Sequence, residues 1–326
     1  MALDASQHYV SRSVRVETDQ VARVRAAFEA VRDFVREATM RFSPGGVTLV
    51  AMDNAHVVMI VFDMTRDAVT HSGGAITVER GDPCPDAKRE CIEVGVDTRA
   101  VSQCLRGSAH AETVAFEVDA AKPEAIVIEC RSCGGTSIMR WSVCAPTPDD
   151  DAVRMNARLL QIHYPGSVTM SSTTFQEVVR NIASCDSELV ELECDGTTLH
   201  FAGSGLLTSA SYAMKPTTVV KSTSGKSPWP TRQSFLVSYL ARIAKAKSVG
   251  RQVQLFMRQG CAMFVAYDSP IGTLRFVLMP AEAASAATAM TEGGGDAGAD
   301  AGEEGGGREG GDEARPPERK RRKENK

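Results

Sequence analysis

The order of helix and strand signals in this chain of 326 residues repeats once, and this repeat limits the possible folds more than any other feature. Each half contains a helix signal, a hairpin with a Gly turn, a second helix signal, another hairpin and a closing strand. The two closing strands resemble each other: one ends at Ala145-Pro146 and the other at Met279-Pro280. A repeat of about 130 residues is too long for a solenoid. The sequence therefore predicts two tandem copies of one α+β domain.

Four segments have apolar residues spaced three or four positions apart, as one buried face of a helix requires. Thr174 with Glu177, or Thr173 with Gln176, is a candidate capping box for the third helix. The predicted helices are 19–38, 97–106 with Asp97 as the N-cap, 172–182 and 233–247.

The remaining signals are strands and turns. Gly45-Gly46 and Asp195-Gly196 predict hairpin turns between half-buried strands. Two later strand pairs are predicted, 113–118 with 125–130 and 253–257 with 263–267. The predicted domain organisation is an N-terminal domain at 1–145, a connector at 146–165, a C-terminal domain at 166–282 and a tail at 283–326.

The tail differs from the body in composition. It is rich in Gly and acidic residues and has no aromatic residue, so we expect it to be disordered. It ends in a run of five bases that resembles a nuclear localisation signal, although a solvated charge run is the alternative. The five bases are Arg319, Lys320, Arg321, Arg322 and Lys323.

The overall composition excludes several classes of protein. A net charge of -4 and 43% apolar residues exclude a histone-like basic protein and a wholly disordered one. The longest run of large apolar residues, Val57 to Phe62, is too short for a membrane span, and no secretory signal is visible. Nine cysteines cannot all pair within one chain, so we expect free thiols in a reducing compartment.

Basic residues recur on the helix faces that are not apolar. They share one face of each predicted helix, although Glu29 and Glu177 interrupt this face on the first and third helices. For any single helix, an ordinary solvated face is the alternative interpretation. A basic surface shared by four helices would bind phosphates without reading bases. The bases are Arg25, Arg32 and Arg36 with Arg23 beside them, Arg99 and Arg106, Arg180, and Arg242, Lys245 and Lys247.

An enzyme is the first competing interpretation. Cys130-x-x-Cys133, with Cys91 and Cys144, is a candidate zinc or thiol site, but a lone CxxC lacks a second ligand pair. Gly134-Gly135 beside it is typical of a hairpin turn. We find no nucleophile–base set and no phosphate-binding loop. We therefore expect no enzymatic activity and no cofactor.

Several segments resemble the proliferating cell nuclear antigen family of DNA sliding clamps. The most specific is the Met-Asp-x-x-His-Val motif at Met52–Val57, followed by Phe175 to Phe201, Phe235 to Leu240 and Leu274 to Pro280. The similarity covers about residues 10 to 282, in the order of the family. It implies a closed ring of two-domain subunits, with helices lining the hole and strands outside.

The resemblance also implies partners. Members of the family act as polymerase processivity factors in the nucleus, or in a host nucleus for a viral protein. They bind double-stranded DNA, a DNA polymerase and a clamp loader. A homotrimer is expected, and a checkpoint-type clamp subunit or a monomeric viral polymerase accessory factor are the alternatives. Arg25, Arg32, Arg106, Arg180 and Lys245 match basic family positions that face DNA. Gln103 and Glu177 depart from that pattern, and Cys194 stands where the family commonly has a lysine that is modified in damage tolerance.

The resemblance implies an apolar outer groove for short partner peptides. The groove would be formed by the loop after the Met-Asp-x-x-His-Val strand, the connector and the C-terminal strand. The matching positions are Met52, His56, Val57, Met59, Leu160, Ile162, Val277, Leu278, Met279 and Pro280. The segments 65–92 and 215–231 are longer or more irregular than the family pattern.

Overall fold

The structure is a computed structural model of the chain. The connector residue Leu160, the predicted turn at Asp195-Gly196 and the basic run of the tail lie outside the described residues. The described residues are 13–71, 73–79, 91–108, 110–119, 122, 124–135, 137–159, 162–164, 166–194, 198–221 and 232–283.

The first half of the chain alternates strands with helices. Its elements, in chain order, are β1 (Ser13–Thr18), α1 (Val21–Arg32), β2 (Glu37–Ser43), β3 (Gly46–Met52), β4 (Val58–Thr65), α2 (Arg66–His71), β5 (Ala75–Glu79), β6 (Ile92–Asp97), α3 (Thr98–Gly107), β7 (Ala111–Asp119), β8 (Ala125–Ser132), a 3-10 turn (Cys133–Gly135) and β9 (Ile138–Cys144).

A connector helix and a second set of the same elements follow. They are α4 (Asp150–Leu159), β10 (Gly166–Ser171), α5 (Ser172–Ala183), β11 (Leu189–Cys194), β12 (Leu199–Ser204), β13 (Ser209–Met214), β14 (Thr218–Lys221), β15 (Gln233–Leu236), α6 (Val237–Ile243), a 3-10 turn (Ala244–Ser248), β16 (Gln252–Phe256), β17 (Met263–Ser269) and β18 (Gly272–Leu278).

The sheets of the two halves have the same strand order. In the first half, β5-β1-β7-β8-β9 form one sheet and β4-β3-β2-β6 are neighbours in another. In the second half, β14-β10-β16-β17-β18 and β13-β12-β11-β15 repeat these two arrangements. Helices α1 and α3 correspond to α5 and α6, and α2 is an addition of the first half. The predicted α+β fold of two tandem domains is thus confirmed.

One sheet continues across the two halves. Strand β18 pairs antiparallel with β4, from Thr273 opposite Asp63 to Leu278 opposite Val58, which makes a nine-stranded sheet. The carboxylate of Asp63 accepts a hydrogen bond from the guanidinium of Arg275 across this junction. The closing strand of the second domain is therefore an integral part of the sheet of the first domain.

The main core lies between the sheets and the helices. It includes Val24 and Phe28 of α1, Val101 of α3, Phe175 of α5 and Leu240 of α6, none more than 1% exposed. Large side chains removed from water in this way supply most of the favourable free energy of folding. A second, smaller apolar cluster lies on the opposite face of the nine-stranded sheet, under α4.

Two predicted helix boundaries are wrong. Helix α1 ends at Arg32, because the chain turns at Asp33 and Phe34 and residues 37–43 then join the sheet as β2. Residues 233–236 form strand β15 instead of the start of a helix, since they pair with β11. Short apolar runs at these positions fit either a helix or a strand, and the pairing partner decides.

Other local predictions had mixed outcomes. Asp97 caps α3 as predicted, since its Oδ1 accepts from the N–H groups of Arg99 and Ala100 at 2.9 Å. The Gly45-Gly46 turn and the two later strand pairs are also confirmed. The capping box is wrong, because α5 begins at Ser172 with Ser171 as an N-cap that makes no side-chain capping bond.

Candidate nucleic-acid interface and partner groove

Four helices form one continuous layer on the same side of the sheets. Helix α3 contacts α1, α1 contacts the 3-10 turn after α6, and both α6 and that turn contact α5. Their apolar faces are in the main core, so their other faces form a shared surface, which we call the helix layer. Nine of the predicted DNA-binding bases are brought to or beside this layer: Arg25, Arg32, Arg36, Arg99, Arg106, Arg180, Arg242, Lys245 and Lys247.

Acidic residues neutralise part of the helix layer. The Nε of Arg106 lies 2.8 Å from Oε1 of Glu29, which joins α3 to α1. The carboxylate of Asp33 lies 3.7 Å from Nζ of Lys245 and 3.9 Å from Nε of Arg32. Exposed pairs of this kind contribute at most about 1 kcal/mol each, so a phosphate can compete with them for the bases.

Several bases of the layer have no such acid. Arg99, Arg180 and Lys247 are exposed and Arg25 is half-buried, and over the described ranges no carboxylate lies within ion-pair distance of these four side chains. Bases outnumber acids on and beside the layer, because the nine predicted bases are accompanied by four acids, Glu29, Asp33, Asp97 and Glu177. The layer can therefore attract a polyanion even though the chain as a whole has a net charge of -4.

Arg36 is not on a helix, which corrects the predicted common face with Arg25 and Arg32. It follows the end of α1, and its Nε donates to Oδ2 of Asp97 at 3.0 Å. Partial burial opposes ionisation of Asp97, but the N–H groups of Ala100 and Arg99 and the guanidinium of Arg36 outweigh it and lower the pKa. Arg36 thus has a structural partner at the start of α3.

Two arginines join the domains within the layer. Nη1 of Arg23 donates to the carbonyl oxygens of Ser248 at 2.6 Å and Val249 at 3.2 Å, at the C-terminal end of the 3-10 turn. A cation is favoured there by the unsatisfied carbonyl groups. The guanidinium of Arg242 lies 5.6 Å from the ring centroid of Tyr239 and 5.9 Å from that of Phe34, within cation–π range.

The opposite face of the shared sheet carries the second apolar cluster, which we call the outer cluster. Val50, Met59 and Val277 are buried in it, and Met52 and Met279 are half-buried at its margin. Helix α4 covers part of it through Ala152, which is fully buried, and Leu159. The predicted groove residues Met52, Met59, Val277 and Met279 are therefore brought together on this face.

Two predicted groove residues are wrong. Val57 and Leu278 belong to the main core on the other face of the sheet, where they are 2% and 0% exposed. Leu278 follows Val277 on a strand, and successive side chains of a strand point to opposite faces. Ile162 and Pro280 are half-buried and His56 is exposed, while Leu160 lies outside the described residues.

The loop that carries His56 is fixed by a buried carboxylate. Oδ1 of Asp53 accepts from the N–H groups of Val57 and Val58, both at 2.8 Å, and Oδ2 accepts from the hydroxyl of Tyr239 at 2.8 Å. His56 adopts a left-handed φ of 55° in this turn. Burial, and then the hydrogen bond to Asp53, raises the pKa of Tyr239 to about 12, so the hydroxyl remains a donor at neutral pH.

Sequence reasoning missed the aromatic part of the outer cluster. The ring of Tyr164 lies 4.6 Å from that of Phe264 and 6.3 Å from that of Phe256, and its hydroxyl donates to the carbonyl of Ala262 at 2.7 Å. Helix α4 was also missed, although the Asp149-Asp150-Asp151 run is an N-terminal helix signal. These residues determine how much of the apolar surface remains open.

The thiol interpretation gains no support from the cysteines that the structure describes. Cys130 is buried, and burial raises its pKa and disfavours the reactive thiolate. Gly134 and Gly135 form the predicted turn between β8 and β9, with φ values of 66° and 68°. Within the described ranges no group of three or more metal-ligating side chains is found, and no described helix is long and apolar enough to span a membrane.

The repeated domain, the sheet shared between its two copies and the helix layer together define the DNA clamp fold. Family models of the proliferating cell nuclear antigen match its N-terminal domain at residues 14–74 and its C-terminal domain at residues 159–282. The chain belongs to the proliferating cell nuclear antigen family.

Relatives match most of the chain at low identity. Proliferating cell nuclear antigen 2 of Drosophila melanogaster is 21% identical over 257 residues, covering 77% of this chain and 91% of its own length. The Dictyostelium discoideum antigen is 22% identical over 267 residues, with 80% and 96% covered. The DNA polymerase sliding clamp of Methanococcoides burtonii is 21% identical over 256 residues, with 78% and 93% covered.

Proposed function

We propose that this protein is a homotrimeric sliding clamp that encircles duplex DNA, keeps a DNA polymerase on its template and recruits further proteins through the outer cluster. Its action is binding and not catalysis. The relatives named as sliding clamps and the helix layer support this function. The main support for a ring is the arrangement of open strand edges.

The internal repeat indicates how copies would join. Within the chain, β18 pairs with β4 at the junction of the two domains. The corresponding strands of the other junction are β9 and β13, and each is the last strand of its sheet. Pairing β9 of one copy with β13 of the next would reproduce the internal junction. A contact between two different surfaces generates a ring when the rotation closes.

The side chains on these edges support the same contact. Ile138 and Met139 on β9 are 56% and 42% exposed, and Tyr212 on β13 is 42% exposed. Open sheet edges with apolar side chains are normally protected, because they pair readily with other chains. Three copies joined in this way would contain six domains, with the helix layers directed to one side of a continuous sheet.

Weak phosphate contacts suit this function. A closed ring is held on DNA by topology, so its bases need only centre the duplex and reduce repulsion. Lys and Arg contacts to phosphates carry no sequence information, which permits movement along any sequence. Such contacts weaken steeply with salt, so the helix layer would tune position while closure supplies retention.

Charge reversal tests the helix layer. Arg99 and Arg180 are exposed on different domains and have no acid partner among the described residues, so Arg99→Glu with Arg180→Glu should shorten polymerase products roughly threefold through lost phosphate attraction. Product length in a primer-extension assay with the loaded clamp is the measurement. Arg41→Glu is the control, since Arg41 lies on β2 between the inward-facing Met40 and Phe42. Equal product lengths for the double variant and wild type would remove the assignment.

The outer cluster is the proposed groove for partner peptides. Apolar anchors of a short peptide insert into such grooves at spacings of i, i+3 and i+4. Loss of apolar contact from Ile162→Ala should weaken binding about fivefold, and Leu160→Ser should weaken it further. The measurement is a titration of a fluorescein-labelled peptide with Leu and Phe anchors at that spacing. Val220→Ala, an exposed residue of β14, is the control, and unchanged binding of Ile162→Ala would reject the groove.

We also propose a nuclear location, on the basis of the five bases from Arg319 to Lys323. This run lies outside the described residues, and its support is the sequence pattern alone. It follows a stretch that is rich in Gly and acidic residues.

A further inference from the structure

The loop between β12 and β13 carries two leucines that are almost completely exposed. Leu206 is 96% exposed and Leu207 is 93% exposed, more than any other large apolar side chain among the described residues. A single exposed leucine is common on protein surfaces, but two adjacent ones at the tip of a loop form an apolar patch that no described residue covers.

The loop is held in place by its own backbone. The N–H of Gly205 donates to the carbonyl of Thr208 at 2.8 Å, which closes the turn. The hydroxyl of Thr208 donates to the carbonyl of Cys185 after α5, at 3.4 Å. A Cβ on Gly205 would lie 1.8 Å from that same carbonyl oxygen, so the close approach requires glycine. The leucines therefore project from a fixed support.

The repeat shows what a loop in this position contacts. The β12–β13 loop corresponds to the β3–β4 loop of the first domain, which lies at the internal junction. There, Asp53 accepts from the hydroxyl of Tyr239 on α6, and the carbonyl of Val57 accepts from the N–H of Met279 after β18. The β3–β4 loop thus reaches both the helix and the closing strand of the other domain.

The corresponding surface of a second copy has small side chains. Tyr239 is the third residue of α6, and the third residue of α3 is Ala100, which is half-buried. Met279, whose N–H bonds to Val57, follows the core residue Leu278, and Cys144, which is exposed, follows the core residue Val143 at the end of β9. A large aromatic residue and a carboxylate fill the internal junction, whereas the external one offers small residues on one side and two leucines on the other.

We propose that Leu206 and Leu207 dock against a second copy of this chain, on the start of its α3 and the end of its β9, and stabilise ring closure. This inference rests on the proposed function, because it needs β13 of one copy to pair with β9 of the next. The apolar contact takes the place that the Asp53–Tyr239 hydrogen bond has at the internal junction.

The test is the double variant Leu206→Ser with Leu207→Ser in the full-length chain. Burial of two leucine side chains accounts for about a hundredfold in affinity, so we expect the subunit dissociation constant to rise by about that factor. The measurement is the mass distribution over a dilution series in sedimentation velocity. Leu189→Ser is the control, because Leu189 is 41% exposed on β11, which pairs with neither β9 nor β13.

The outcomes separate the two proposals. A wild-type chain that remains at 34.9 kDa at all concentrations would contradict the ring itself. A wild-type trimer with an unchanged dissociation constant in the double variant would overturn only the leucine contact. Because both leucines are exposed, we expect the melting temperature of the monomer to be unchanged, and loss of folding would also count against the proposal.

A cross-link tests the location of the contact. Leu207→Cys should form a disulfide with Cys144 of the next copy under mild oxidation, since the two side chains would lie on facing surfaces. Removal of the acceptor in Leu207→Cys with Cys144→Ser should abolish the linked species on a non-reducing gel. A trimer in which Leu207→Cys gives no cross-link, or one that survives Cys144→Ser, would overturn the placement.

Discussion

At the level of single residues, Asp97 shows how one carboxylate serves both the fold and the helix layer. It caps α3 through two backbone N–H groups and holds the guanidinium of Arg36 at 3.0 Å. Helix α3 carries Arg99 and Arg106, so the cap contributes to the orientation of two bases of the layer. Loss of the cap would therefore affect stability first and DNA contacts second.

We expect Asp97→Ala to lower the free energy of unfolding by about 1 kcal/mol, the usual cost of a lost N-cap. Asp97→Asn should cost less, because Asn also caps helices and only the pair with Arg36 is lost. Urea denaturation at neutral pH measures both changes. If Asp97→Asn and Asp97→Ala were equally destabilising, the charge of Asp97 and not its capping geometry would be responsible.

The same residue predicts a pH dependence. The folded protein lowers the pKa of Asp97 below its ordinary value of about 4. A depressed carboxyl pKa contributes stability above the unfolded-state pKa, and this contribution is lost as the pH falls through the folded-state pKa. The advantage of wild type over Asp97→Asn should thus be present at pH 7 and disappear in acid.

At the level of elements, the connector helix α4 covers part of the outer cluster. Oδ1 of Asp149 accepts from the N–H groups of Asp151 and Ala152, both at 3.0 Å, and the N–H of Asp149 donates to Thr39 on β2 at 2.7 Å. Ala152 is then buried against the sheet. The cap therefore both starts the helix and attaches it to the first domain.

We expect Asp149→Ala to destabilise α4 locally by about 1 kcal/mol. Local opening exposes backbone to proteases, so trypsin should cut faster after Arg154 and Arg158, which are exposed on this helix. Asp150→Ala is the matched control, since Asp150 is exposed in the first turn and accepts no capping bond from the described residues. Equal cleavage rates for the two variants would show that Asp149 does not hold the helix.

The elements also show what the sequence could predict. Gly45-Gly46 and the cap at Asp97 are local signals, and the structure confirms both. The end of α1 depends on whether Ala38 is buried on a helix or within a strand, and only the pairing of β2 with β6 decides this. The error at Leu278 was avoidable, because strand alternation alone places it opposite Val277. The Tyr164 contacts depend on the connector path, which no local pattern determines.

At the level of the whole molecule, the internal junction is the basis for the proposed ring. Pairing of β4 with β18 makes one continuous sheet across the two domains, and Arg23 and Asp53 of the first domain contact the 3-10 turn after α6 and α6 itself. The open edge strands β9 and β13 are the ones that correspond in the repeat to β18 and β4. Each subunit therefore contains one complete junction, between β4 and β18, and one open edge strand at each end.

Retention of the protein on a DNA circle before and after cutting measures directly whether closed rings surround DNA. The clamp is assembled on a nicked circular plasmid by a clamp loader and ATP, and bound protein is separated by gel filtration at elevated salt. We expect the protein to remain with the circle and to be released after a single restriction cut, because a ring slides off a free end. Retention that is the same on circular and linear DNA would contradict encirclement.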